Sequence, residues 1–303
     1  MISIESLQAV RRIIVHANCP DGRASALILH AALPAAEVCE MAYGSPEHDG
    51  LVAAPGLLFC DFTPPKGRLA EFAAAGAIVL DPPERALVEP VGKLGVFGVN
   101  ENGESGAWLA FREVLTPVKG PDLGMAGDGR WRAARDLARL AAVRDTWMRE
   151  HVSWDEACAL SEALRFMPLP NLLGMSITSF LDFAGELGPV LFQKKRDAAA
   201  AASKNAVRLT VGGLLVAVIP GLSLTSDVAD VCVADIIAGF EFVQEGGAVR
   251  LVWSLRSRGD VDVQAIAKRF PTGGGHKPAA GFSVPDDGRS PYARVAELLG
   301  GAS

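Results

Sequence analysis

The 303-residue chain contains no apolar run long enough to cross a membrane. A membrane-spanning helix needs about 20 consecutive apolar residues, and Gly, Pro or a charged residue interrupts the apolar runs well before that length. The N-terminal sequence, MISIESLQAVRR, lacks the apolar stretch and small-residue cleavage site of a secretory signal. We therefore expect a cytoplasmic protein that does not bind membranes.

Paired cysteines and an excess of positive charge are also missing. The five cysteines are scattered without a C-x-x-C pair, which argues against a zinc ribbon or a disulfide framework and predicts reduced thiols. The formal net charge is −6, whereas proteins that coat long nucleic acid gain affinity by neutralising phosphates. The charge balance argues against such a role, but it is compatible with a small anionic substrate at a locally cationic site.

The first 115 residues alternate between short apolar strands and helices. Strands are predicted at 13–15, 57–60 and 77–80, and helices at 22–33, 67–75 and 105–115. This alternation is typical of a parallel sheet with helices on both faces. The segment 115–131, rich in Gly, Pro and charge, is predicted to be a loop.

The rest of the chain changes character twice. Apolar residues recur at spacings of three and four from 131 to about 203, which predicts a helical cap and connector. The last hundred residues are rich in β-branched residues and glycines, which indicates a smaller α/β domain. The predicted fold is α/β with an N-terminal domain (1–187), a connecting helix (188–204) and a C-terminal domain (205–303).

Three side chains that can bind a metal follow predicted strands: His16 after RRIIV, Asp61 after LLFC and Asp81 after AIVL. The carboxyl ends of parallel strands are where open α/β sheets form their ligand sites. Asp21 follows in the next loop, and Asp145 lies near the end of a helical segment. Converging carboxylates need a cation, and imidazole with carboxylates suits Mn²⁺, Fe²⁺, Co²⁺ or Zn²⁺ better than Ca²⁺. A single Asp at a strand end commonly caps a helix, so the predicted metal site depends on the whole set.

A glycine-rich motif, GGGHKPAAGF, lies near the C-terminus. Consecutive glycines let the backbone approach an anion closely, so we expect Gly274, Gly275 and His276 to contact substrate phosphate. Upstream, Arg256 and Arg258 alternate along a predicted strand, and their side chains are expected to form a fork for phosphate or base edges. The alternatives are a flexible turn for the glycines and an exposed, solvated strand face for the arginines.

These motifs, in this order, resemble those of the DHH family of phosphoesterases with its DHH-associated C-terminal domain. HANCPDGRASA, CDFTPP, VLDPPERA and VRDTW are similar to the first four family motifs, and GGGHKPAAGF is similar to the C-terminal one. The resemblance implies two domains with an active site between them and Mn²⁺-dependent hydrolysis of phosphodiester or phosphomonoester bonds in nucleotides or short oligonucleotides. It also implies catalytic roles for Asp21, Asp61 and Asp145.

The chain departs from the family pattern at two places. Pro82 and Pro83 stand where the third motif has two histidines, which removes one usual metal ligand and one usual phosphate contact. Cys19 stands where the first motif commonly has an aspartate. A thiolate can bind metal, but a buried, inert cysteine is the favoured interpretation of Cys19. The remaining ligands suffice for one ion, whereas a second ion site is weakened.

Three hypotheses about function remain at this point. The favoured one is a metal-dependent phosphoesterase. The second is a nucleotide-binding protein that kept the C-terminal anion site and lost hydrolysis with its histidines. The third is an unrelated doubly wound protein with a small-molecule effector site, which the fold alone would permit. The sequence does not indicate an oligomeric state.

Overall fold

The computed structural model describes residues 2–80, 104–119 and 129–300. The chain divides into two compact units, Met1–Phe192 and Gln193–Ser303. Among the helices in the described ranges, none combines the length and the apolar character that a bilayer crossing requires.

The first unit is built on a four-stranded parallel sheet. Its strands are β1 (Arg12–His16), β2 (Glu37–Met41), β3 (Leu57–Cys60) and β4 (Ile78–Leu80), in the order β2-β1-β3-β4. The inner strands β1 and β3 are apolar and almost fully buried, as expected where helices cover both faces. The predicted parallel α/β architecture is confirmed. The edge strand β2 was not predicted, because its sequence, EVCEM, contains two charged residues and is mostly half-buried or exposed.

Helices cover both faces of this sheet. In chain order they are α1 (Ile4–Gln8), α2 (Pro20–Ala32), α3 (Pro46–Asp49), α4 (Leu69–Ala74), α5 (Gly106–Leu109), a π-helical stretch (Ala110–Leu115), α6 (Thr116–Lys119), α7 (Gly129–Asp145), α8 (Trp154–Phe166) and α9 (Leu169–Leu173). Alternate residues of β1 belong to different hydrophobic clusters: Ile13 and Val15 pack with Leu27 of α2, whereas Ile14 packs with Phe59 and Phe72.

The predicted loop at 115–131 is wrong at both ends. Residues 116–119 form α6, and α7 begins at Gly129, while 120–128 lie outside the described residues. The glycines and prolines of this segment favoured a loop, but the sequence RWRAARDLARL, rich in helix formers, extends α7 back to its first residue. The predicted helix at 105–115 is confirmed, although its second half is π-helical.

A long helix, α10 (Ile177–Asn205), contains the boundary between the two units. The predicted connecting helix, 188–204, falls within it. After α10 the second unit forms a six-stranded mixed sheet. Its strands are β5 (Val207–Val211), β6 (Leu214–Pro220), β7 (Ile236–Glu245), β8 (Ala248–Ser257), β9 (Gly274–His276) and β10 (Ala279–Pro285), in the order β5-β6-β7-β8-β10-β9.

Helices α11 (Thr225–Val231), α12 (Val263–Ala267) and α13 (Pro291–Gly300) complete the second unit. One hydrophobic cluster joins Val263 and Val295 to Trp253 of β8, and another joins Val228 of α11 to Ile237 of β7. The sheet is therefore covered on both faces, and the predicted smaller α/β domain is confirmed.

Candidate functional site

His16 and Asp61 lie at the carboxyl ends of two neighbouring strands. His16 is the last residue of β1, and Asp61 follows β3 directly; the two strands pair in parallel. The distance from His16 Nδ1 to Asp61 Oδ2 is 4.0 Å. This is longer than a hydrogen bond and about 0.6 Å longer than the separation, about 3.4 Å, of two such ligand atoms on a tetrahedral ion.

Cys19 joins these two residues. One ligand atom each from His16, Cys19 and Asp61 lies within 4.8 Å of the others, which makes them the group in the described part of the chain that could hold a metal ion. The imidazole of His16 stacks on buried Phe62, with ring centroids 5.8 Å apart and planes inclined by 18°. Tyr43 packs against the same imidazole at 5.2 Å. These ring contacts hold the histidine in place at the strand end.

Asp21 is buried in the first turn of α2, beside this group. Its carboxylate accepts a hydrogen bond from the Ala107 backbone N–H, at 3.3 Å. Burial raises the pKa of Asp21 well above its usual range, and the charges of Asp145 and Asp61 raise it further, whereas the Ser105 side chain and the Ala107 N–H lower it. Such a carboxylate is destabilised in its charged form unless a cation is near.

Asp145 is the last residue of α7 and is exposed. Its effect on the pKa of Asp21 places the two carboxylates near each other, although neither belongs to the three-residue group around His16. The structure thus brings His16, Asp21, Asp61 and Asp145 into one region. Asp81, the fifth predicted ligand, lies outside the described residues, as do Pro82 and Pro83.

Cys19 contributes a thiol beside the Asp61 carboxylate, within 4.8 Å of one of its oxygens. Burial raises the pKa of Cys19, and the negative charges of Asp61 and Asp21 raise it further, whereas the Gly22 backbone N–H in the first turn of α2 lowers it. Cys19 is also the N-cap residue of α2, and its side chain makes no capping hydrogen bond. The sulfur therefore lies near both the start of α2 and the acidic side chains.

Two glycines allow the elements of the site to approach. A Cβ at Gly22 would lie 2.6 Å from the His16 carbonyl oxygen, and a Cβ at Gly106 would lie 2.6 Å from the Asp61 Cβ. Neither glycine has a positive φ, so each is required for space and not for backbone conformation. They bring the first turns of α2 and α5 against the ends of β1 and β3.

Backbone strain is concentrated around the same loops. In the described ranges, the non-glycine residues with positive φ are Asn18 (59°), Asp61 (52°) and Trp147 (56°). Each such residue costs on the order of 1–3 kcal/mol, and they are common at functional sites. Asn18 lies between His16 and Cys19, and Trp147 lies two residues after Asp145. All three fall in or beside segments that supply the candidate ligands.

In the second unit, Arg256 and His276 occupy one row of the sheet. Ala279 of β10 pairs with Arg256 of β8 on one side and with His276 of β9 on the other. Directly paired residues point to the same face, and two strand spacings, about 10 Å, separate the outer members of this row. Arg256 Nε donates to Ser226 Oγ at 2.9 Å, and burial lowers the pKa of Arg256 while the charge of Asp227 opposes this shift.

Arg258 has a different environment. It follows the end of β8, and its Nη1 donates to the Cys232 carbonyl oxygen at 3.0 Å, so the structure gives the two arginines different partners.

The glycines of the GGGHKPAAGF motif have different environments. A Cβ at Gly273 would lie 1.7 Å from the Ala267 carbonyl oxygen, and Gly275 has φ +134°, whereas a Cβ at Gly274 would meet open space. Gly273 and Gly275 therefore have packing or conformational reasons to be glycine.

Comparison with known proteins supports the fold. No protein-family model and no curated protein sequence matches the chain. Among solved structures, it is similar to the DHH domain of a member of the s1p family of ribosomal proteins, with a TM-score of 0.59, 12% identity, and coverage of 97% of this chain and 86% of the other. The chain has the DHH fold.

A second structure with this fold is RecJ in complex with Mn²⁺ from Thermus thermophilus. The TM-score is 0.54 and the identity 19%, with 97% of this chain covered. The chain spans 52% of the RecJ chain, or about half its length. The resemblance to DHH proteins that the motifs predicted is confirmed at the level of the fold.

Several residues of this DHH-fold site were not assigned a role from the sequence. Cys19 was interpreted as inert, and the structure places its sulfur within 4.8 Å of ligand atoms of His16 and Asp61; its position in the first motif was the signal for this proximity. Ser105 accepts a hydrogen bond from the Trp108 N–H at 3.3 Å and lowers the pKa of Asp21. No local pattern identifies Asp61 as the residue against which Gly106 packs.

Proposed function

We propose that the chain is a metal-dependent phosphoesterase that acts on nucleotides or short oligonucleotides. The observation that supports this most strongly is the placement of His16, Cys19 and Asp61 within 4.8 Å of one another at the carboxyl ends of β1 and β3. Buried Asp21 stands beside them with a pKa raised by burial. This is an acidic, imidazole-containing site at the sheet edge where α/β folds bind ligands.

The side chains present fit a divalent transition-metal ion. His16 and Asp61 would hold it directly, and the negative charges of Asp21 and Asp145 would stabilise its charge; Asp81 is included in this set from the sequence alone. When bound, such an ion polarises a phosphoryl oxygen and lowers the pKa of water. Mn²⁺ is the ion that the comparison alone suggests, because RecJ, whose fold the chain shares, was solved with Mn²⁺. We propose one ion; the prolines at 82 and 83 weaken a second site.

Residues of the chain itself position the site, accept the proton and bind the substrate. Asp61, with its left-handed backbone at the end of β3, lies beside His16 and with it sets the position of the site at the sheet edge. Asp21 and Asp145 supply carboxylates that can accept a proton from the attacking water. In the second unit, Arg256 and His276, on one face of the sheet, provide donors for phosphate or base edges. We include Arg258, Gly274 and Gly275 in this substrate-binding set from the sequence motif.

A hydrolysis screen with matched variants tests the proposal. The purified protein is incubated with short oligonucleotides, cyclic dinucleotides and mononucleotides, with and without Mn²⁺, Co²⁺ or Zn²⁺, and products are separated by chromatography. We expect ion-dependent cleavage that Asp61→Asn and Asp145→Asn abolish. Asp136→Asn is the matched control, because Asp136 lies on the same helix as Asp145 and pairs with surface Arg135 at 3.6 Å; it should retain activity. No cleavage under any condition would overturn the proposal.

A second candidate is a nucleotide-binding protein without hydrolytic activity. The two prolines in the third motif favour it, because proline side chains cannot replace a histidine as ligand or phosphate donor. This candidate predicts that calorimetry detects binding of a nucleotide from the panel while chromatography detects no product. Binding would then depend on Arg256 and persist in Asp61→Asn.

A further inference from the structure

We propose that Cys19 is a ligand of this metal site and that its sulfur directs the site toward thiophilic ions such as Zn²⁺ and Co²⁺ at the expense of Mn²⁺. The inference rests on the proposed function, since it names the ion chemistry of the same site. The inference goes beyond the proposed function because it assigns a sulfur ligand, whereas an aspartate at this position would supply an oxygen.

The ligand atoms are close to the spacing that sulfur ligation requires. Zinc bonds are about 2.3 Å to sulfur and 2.0–2.2 Å to imidazole nitrogen and carboxylate oxygen, so two ligand atoms on a tetrahedral ion are about 3.5 Å apart. The ligand atoms of His16, Cys19 and Asp61 all lie within 4.8 Å of one another, and those of His16 and Asp61 are 4.0 Å apart. Side-chain movements of up to about 1 Å, which rotations about χ angles can supply, close the group around an ion.

The surroundings of Cys19 differ from those of a structural cysteine. An inert buried cysteine packs as a small apolar side chain. Cys39 and Cys60 illustrate structural contacts, since their thiols donate to the backbone carbonyl oxygens of Ile13 and Gly106. The Cys19 sulfur instead lies within 4.8 Å of ligand atoms of both the His16 imidazole and the Asp61 carboxylate. Its neighbours are therefore other metal-binding side chains.

The ligand chemistry determines which ion is favoured. On binding, the sulfur–hydrogen bond breaks, the proton passes to solvent and a metal–sulfur bond forms. Thiolate is a soft ligand that favours zinc over the hard-ligand ion Mn²⁺, whereas carboxylate oxygen suits manganese. Cys19→Asp should therefore lower the preference for Zn²⁺ over Mn²⁺, although every site of this kind binds Zn²⁺ more tightly than Mn²⁺ to some degree.

Cobalt spectroscopy tests the ligand directly, independently of any activity. Metal-free full-length protein is titrated with Co²⁺ while its absorption is recorded. A sulfur ligand produces a sulfur-to-cobalt charge-transfer band in the near ultraviolet. We expect this band in the wild type and in Cys39→Ser, the matched control with another half-buried cysteine of the same unit. Cys19→Ser and Cys19→Asp should lack the band.

Competition titrations supply the second measurement. We expect Cys19→Asp to reduce the ratio of Zn²⁺ to Mn²⁺ affinity by at least about tenfold. Replacing a residue that only hydrogen-bonds a metal ligand already changes metal affinity by about tenfold or more, and Cys19 is proposed to bind the ion itself. Circular dichroism checks that the variants fold. If Cys19→Ser does not fold, the measurements are made on Cys19→Asp, which introduces the residue that the family commonly has at this position.

Each outcome decides the matter. A wild type without the charge-transfer band, including one that shows no spectral change with Co²⁺, overturns the assignment of Cys19, as does a band that survives in a folded Cys19 variant. A sulfur band without hydrolysis of any substrate supports Cys19 as a ligand and overturns the phosphoesterase proposal. Hydrolysis without the band supports the phosphoesterase proposal and overturns Cys19 as a ligand.

Discussion

Replacing Gly106 by alanine should damage the site even though alanine is the better helix former. The new Cβ would lie 2.6 Å from the Asp61 Cβ, 2.9 Å from the Asp61 nitrogen and 3.0 Å from Asp21 Oδ2. Carbon atoms in good contact are about 3.5–4.0 Å apart, so the start of α5 or the Asp61 loop has to move by about 1 Å. Overpacking of this kind costs about 1–3 kcal/mol.

The opposing effect is smaller. Exchanging glycine for alanine inside a helix stabilises by at most about 1 kcal/mol, and Gly106 is the first residue of α5. We therefore expect Gly106→Ala to lower the free energy of unfolding of the metal-free protein by about 1–2 kcal/mol, the overpacking cost less the helix gain. Because the displaced residue is Asp61, metal affinity should fall by about tenfold or more.

Urea unfolding and calorimetric metal titration measure the two effects. The matched control is Gly185→Ala, since Gly185 lies in α10 where an added Cβ would meet open space. This control should raise stability by about 0.5–1 kcal/mol and leave metal binding unchanged. If Gly106→Ala proves as stable as the wild type and binds metal equally well, the close approach of α5 to Asp61 is not what constrains the site.

Four further substitutions have clear expectations. Asp21→Asn should stabilise the metal-free protein at neutral pH: burial raises the pKa of Asp21 in the folded state, so the folded protein holds this proton more tightly than the unfolded chain, and stability falls as pH rises from about 4 through the raised pKa. Urea unfolding with EDTA across this range should show that loss in the wild type and a smaller one in the variant; equal slopes would contradict it. Arg23→Met removes the ion pair with Glu40, 2.7 Å long, and should cost about 3 kcal/mol in thermal or urea unfolding; an unchanged midpoint would show that the pair is dispensable. Gly273→Ala should destabilise strongly, because its Cβ would meet a backbone oxygen at 1.7 Å, whereas Gly274→Ala should change the free energy of unfolding by less than about 0.5 kcal/mol; the reverse order in urea unfolding would refute this.

The parts of the fold that could be predicted are those that local residue patterns determine. β1 and β3 are apolar and bounded by breakers, so their positions, and those of His16 and Asp61 after them, followed from the sequence. Because parallel neighbouring strands end at the same sheet edge, the proximity of these two residues followed as well. β2 did not follow, since an edge strand with charged residues resembles a loop.

The parts that could not be predicted depend on tertiary packing. Gly106 is far from Asp61 along the chain, and only the approach of α5 shows that its missing side chain matters. The loop that carries Cys19 contains a left-handed backbone at Asn18, which no residue pattern indicates. The separate partners of Arg256 and Arg258 depend on where β8 ends.

Because Arg256, Ala279 and His276 pair in one row, the length of the turn between β9 and β10 is constrained in evolution. Side chains alternate between faces along a strand, so gaining or losing a single residue in the short turn between β9 and β10, with the pairing shifted accordingly, would turn His276 away from Arg256. Surface loops that carry no residue of the site can lengthen or shorten at little cost in free energy. The turn between β9 and β10 can vary in composition but not in length while the two side chains remain together.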